Sequence, residues 1–68
     1  MITHIDWLTE QIEFRFSLGC NRVPVLKSVL GGVNTHKIIR NNLIDKGFIC
    51  KTETFESHML FKRLLNEH

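Results

Sequence analysis

The strongest constraint on this chain is a pair of short apolar stripes hinged on Gly31-Gly32 and stopped at Gly47. Upstream of the hinge, Pro24 lacks an N–H and suits the first turn of a helix. Val25, Leu26, Val29 and Leu30 follow at i, i+1, i+4 and i+5, a compact helical stripe. Glycine reaches the left-handed conformation at low cost, so Gly31-Gly32 ends that helix. Downstream, Ile38, Ile39, Leu43 and Ile44 repeat at helical spacing, while Asn34, His36, Lys37, Arg40 and Asn41 are polar. Asn34 or Thr35 supplies a short oxygen for the N-cap of this second helix, which is expected over about residues 34–46. Two amphipathic helices joined by a tight glycine turn predict a helix–turn–helix between Val23 and Ile49.

What flanks this unit is read the same way. Ile5, Leu8, Ile12 and Phe16 line one helix face, so a first helix is expected from residue 4 to about 17, stopped at Gly19. Thr3 or Asp6 offers the capping oxygen. Ile12, Phe14, Phe16 and Leu18 also alternate with Glu13, Arg15 and Ser17, so a helix ending near Gln11 and a short strand is the fallback. Trp7 and Phe14 lie seven residues apart, away from Ile5, Leu8 and Ile12, which points to a second buried surface such as a homodimer contact. Phe48 to Thr52 reads as a strand, and residues 52–57 as a polar loop around Phe55. Residues 58–65 fit either a returning strand or a helix capped by Ser57, because periodicity does not separate the two in so short an apolar run.

The chain has 68 residues, so one domain spanning 1–68 is expected, and 43% hydrophobic content is enough for a packed core. Net charge is only +2, but it is unevenly spread. Residues 1–19 sum to −2, residues 20–51 to +5 and residues 52–68 to −1. A basic block of this kind is what a nucleic-acid face requires. Cys20 and Cys50, 30 residues apart, match no paired metal motif, and His4, His36, His58 and His68 lack metal-site spacing. There is no phosphate-binding glycine loop, no paired-carboxylate arrangement and no Cys–His signature, so neither an enzyme nor a cofactor is expected. Met1-Ile2-Thr3-His4 lacks a basic leader region, and no run approaches a membrane span. These features lead to the expectation of a cytoplasmic protein with free thiols.

The order helix, short helix, glycine turn, helix, then hairpin resembles a winged helix–turn–helix domain. Many bacterial and phage regulators of that superfamily carry L-x-x-x-G-[LF]-[IV] at the end of the recognition helix, and Leu43-Ile44-Asp45-Lys46-Gly47-Phe48-Ile49 matches it. The resemblance covers about residues 23–65. The turn departs from the common L-G-[VI]-[ST], since Leu30-Gly31-Gly32-Val33-Asn34 carries one more glycine. Aligning on Val33-Asn34 or on Gly47 gives registers two residues apart.

The resemblance implies an α+β fold, mainly helical, with three helices and a C-terminal wing. It implies a DNA-binding transcriptional regulator, of phage or bacterial type, acting in the cytoplasm of the bacterial host cell on double-stranded DNA as a homodimer. The third helix would enter the major groove, with Asn34, Thr35, His36, Lys37, Arg40 and Asn41 near base edges. Lys37 and Arg40 are expected exposed, and Ile38, Leu43 and Phe48 buried. Lys27, with Arg22, and Lys51 from the wing would meet phosphates, which position the protein without specifying sequence. The same residue types also make the solvated face of an ordinary helix. The competing reading is a small phage-type protein that uses this fold to bind and inhibit a host protein, through acidic helix 1 and Trp7, Phe14 and Phe55.

Overall fold

The structure is a computed structural model and describes residues 2–32 and 34–64. Its elements run α1 (His4–Ser17), β1 (Arg22–Leu26), α2 (Lys27–Leu30), α3 (Thr35–Asp45), β2 (Cys50–Thr54) and β3 (His58–Arg63). The result is a small α+β domain: three helices packed on a three-stranded antiparallel sheet of order β1-β3-β2. Among the described residues no helix is long and apolar enough to cross a membrane.

Helix α1 forms as its periodicity predicts, and the strand fallback is not adopted. Thr3 is the N-cap, its hydroxyl accepting from the Asp6 N–H at 3.0 Å. Leu8, Ile12 and Phe16 are buried and Ile5 is partly buried against them. At the far end the Gly19 N–H donates to the Phe16 carbonyl and the Cys20 N–H to the Arg15 carbonyl, both at 3.0 Å. These are the paired closing bonds of a Schellman motif. Arg63 reinforces the same end, its guanidinium donating to the Phe16 carbonyl at 2.9 Å, where a cation also suits the helix dipole.

Residues 22–26 depart from expectation. Pro24 does not open a helix; it sits inside strand β1, and α2 is a single turn. The side chains alternate, with Val23 and Val25 buried and Arg22, Pro24 and Leu26 exposed. β1 pairs only with β3, Val23 opposite Phe61 and Val25 opposite Met59. Proline is tolerated there because β1 is a sheet edge. Burying both valines against Phe61 and Met59 on β3 outweighs the helical spacing of Val25, Leu26, Val29 and Leu30. The C-terminal ambiguity resolves as strand for residues 58–63, whereas Leu65 and His68 lie outside the described residues, as does Val33 of the turn. β2 and β3 form the hairpin, with Thr52 opposite Phe61 and Cys50 opposite Arg63.

One core joins the layers: Leu8, Ile12 and Phe16 of α1, Leu30, Ile39 and Leu43 of α2 and α3, and Val23, Val25, Met59 and Phe61 of the sheet. Phe48 is only half-buried, its ring tilted against Phe16 at 5.6 Å with the Arg63 guanidinium 5.3 Å from its centroid. Thr9 is buried in α1 and keeps its hydroxyl satisfied by donating to the Ile5 carbonyl at 2.8 Å.

Candidate nucleic-acid interface

Helix α3 buries Thr35, Ile39 and Leu43, spaced by four residues and so confined to about 80° of its circumference. Ile38 and Ile44 fall well off that arc and are 45% and 47% exposed. This corrects the expected core set: Ile39, not Ile38, holds the buried position. It also corrects Thr35, which is 8% exposed and turned inward rather than toward a ligand. A Cβ on Gly32 would lie 2.5 Å from the Thr35 hydroxyl oxygen, so the extra glycine of the turn makes room for that side chain.

The outward face of α3 therefore consists of Lys37, Ile38, Asn41, Ile44 and Asp45, with Asn34 at its head, all exposed. Asn34 occupies the N-cap position, but its side chain makes no capping bond; its carbonyl accepts from the Lys37 and Ile38 N–H groups at 3.1 and 3.3 Å. His36 is half-buried on the flank nearest the sheet. Together with Lys27, Gly32 and Thr54 it lines a depression of about 270 Å³. The Lys27 N–H donates to the Ser57 carbonyl at 3.1 Å, tying the start of α2 to the hairpin tip. His36, Lys27 and the hairpin thus form one neighbourhood beside α3.

Arg40 is not freely exposed. It is half-buried, and its Nε is shielded without a hydrogen-bond partner among the described residues. Its charge acts on Cys50. Burial pushes that thiol up to about 11, and the nearby guanidinium works in the opposite direction. Cys50 is buried and free; Cys20 is exposed and free.

Lys51 belongs to a different surface. On β1, β3 and β2 the register aligns Arg22, Lys62 and Lys51 side by side on the outer face of the sheet. Lys62 is partly offset by Glu53, 3.4 Å away. The expected phosphate contacts therefore divide between Lys27 beside α3 and Lys51 with Arg22 on the sheet. Lys62 was missed because its place on that face depends on reading residues 58–63 as a strand. Ile38 and Ile44 were missed as surface residues because apolar residues at 38, 39, 43 and 44 admit more than one stripe.

Among the described residues no cluster of three His, Cys, Asp or Glu side chains could hold a metal ion. No protein-family model matches the chain, and neither a curated protein nor a solved structure is significantly similar to it.

Proposed function

We propose that this protein is a winged helix–turn–helix DNA-binding regulator that docks α3, about residues 34–46, in the major groove of double-stranded DNA. The observation that carries the reading is the uncovered outer face of α3. It follows a glycine turn, leads directly into the β2–β3 hairpin and presents Asn34, Lys37 and Asn41. An asparagine amide can pair with the adenine edge through two hydrogen bonds, and lysine can reach guanine O6 and N7. Ile38 and Ile44, beside them, have the chemistry to meet thymine methyl groups. In this reading His36 lies at the groove edge, Lys27 reaches a backbone phosphate, and the hairpin serves as the wing.

The test is fluorescence polarisation with duplex DNA at two salt concentrations. Each phosphate contact, of which Lys27 supplies one on this face, predicts roughly a 3.5-fold loss of affinity between 50 and 200 mM salt. Lys37→Ala with Asn41→Ala weakens binding and leaves the melting temperature near wild type, because both side chains are exposed. Failure to bind any duplex at 50 mM salt overturns the proposal. The same face also supports a second reading, binding to a host protein: Lys37 is its single cation, Asp45 lies two turns further along the helix, and Ile38 and Ile44 are exposed on the same face. A stoichiometric, nuclease-resistant protein partner lost on Ile38→Asp would favour that reading.

A further inference from the structure

Helix α1 carries a second apolar stripe that its own fold leaves uncovered. Trp7, Gln11, Phe14 and Leu18 follow at spacings of four, three and four, which confines them to about 60° of arc on the side away from Leu8, Ile12 and Phe16. Trp7, Phe14 and Leu18 are 46%, 61% and 67% exposed. The Trp7 ring lies nearly parallel to that of His4, with centroids 6.3 Å apart, and His4 Nε2 lies 2.6 Å from the Val29 carbonyl. Beside the stripe runs a groove of about 300 Å³, its far wall made by Pro24, Leu26 and Val29.

We infer that this stripe is the interface with a second copy of the chain, the two α1 helices lying parallel about a twofold axis. The charges flanking the stripe select this occupant. Glu10 stands on one flank and Arg15, five residues on, stands on the other. Neither has an ion-pair partner in its own chain among the described residues. In a parallel helix pair, opposite flanks face each other with that five-residue offset, so Glu10 of each copy meets Arg15 of the other twice over. Trp7 and Phe14 then pack across the axis against their own symmetry mates. A standard interface of about 800 Å² per partner is roughly a sixth of the 4819 Å² surface. The inference rests on α1 and not on the DNA reading, and its test uses no DNA.

The experiment is light scattering on the full chain from 1 to 500 µM, with tryptophan emission recorded on the same samples. Trp7 is the only tryptophan, so its emission reports this surface alone. The expected result is a dimer mass appearing together with a blue shift as concentration rises. Phe14→Glu should give a folded monomer with unshifted emission throughout. Glu10→Arg or Arg15→Glu alone should weaken the dimer at least tenfold, and the two together should restore it. This charge pair keeps the test decisive should Phe14→Glu fail to fold. A monomer at 500 µM, a dimer indifferent to Phe14→Glu, or a charge swap that does not restore dimerisation each overturns the inference. A monomer whose Trp7 shifts only when another protein is added does so as well.

Discussion

Gly32 and Thr35 meet at the start of α3, and their contact explains a residue that the turn alone does not need. Gly31 takes the left-handed conformation that closes α2, with φ at +79°. Gly32 has no such φ; its requirement is space for the buried Thr35 side chain. Gly32→Ala should therefore cost about 1–3 kcal/mol, the range for overpacking a filled site. In a Thr35→Ala background most of that increment should vanish, because the clashing hydroxyl is gone. Urea titrations of the four proteins in this cycle measure it, and an equal cost in both backgrounds would show that the contact is not the cause. Both glycines were legible as a hinge, but their separate roles were not. Thr35 reads as polar in sequence, so its place on the core stripe with Ile39 and Leu43 is hidden. Arg40 was hidden for the opposite reason: a charged residue on a helix flank reads as solvated until β2 and Cys50 are brought beside it.

The elements that sequence pattern placed well are those closed by local bonds. At the end of α3 the Gly47 N–H donates to the Ile44 carbonyl at 3.0 Å and the Phe48 N–H to the Leu43 carbonyl at 3.1 Å. Every partner lies within five residues, so the Leu43–Ile49 stretch announces its own stop. Gly47 has φ +101°, a conformation that costs residues with a Cβ about 1–2 kcal/mol. Gly47→Ala should lower stability by that amount, which corresponds to a fall of roughly 4–16 °C in a domain of this size. A thermal melt checks it, and an unchanged midpoint would mean that the turn relaxes without strain. Strand β1 is the contrary case. Its pairing partners, Phe61 and Met59, lie more than thirty residues downstream, and the local marks of extension, a valine before Pro24 and valines two residues apart, span too few residues to outweigh the helical spacing that follows. Pro24 and the helical spacing beyond it pointed to a longer helix, which the sheet pairing overrode.

At the scale of the whole molecule, like charges collect on the outer face of the sheet. The outer sheet face sets Arg22, Lys62 and Lys51 directly opposite one another, an arrangement that is destabilising in isolation. Lys51→Glu should therefore stabilise the free protein by a few tenths of a kcal/mol to about 1 kcal/mol, with the gain shrinking as salt screens the row. Urea melts at 20 and 300 mM salt test this; a loss of stability at low salt would mean that Glu53 already neutralises the row. The sequence by itself determined the α1 and α3 helices, their glycine stops, the β2–β3 hairpin as one of two options, and the residue types available to a binding face. These depend on bonds and side-chain periodicities that close within a few residues. Only the tertiary structure decided that Val23 and Val25 belong to a strand. Only packing decided which isoleucines of α3 turn outward, and which lysines sit beside α3 rather than on the sheet. It also left the Trp7–Leu18 stripe of α1 uncovered. Each of those outcomes turns on which apolar surfaces find partners distant in the chain, and local spacing carries no record of that competition.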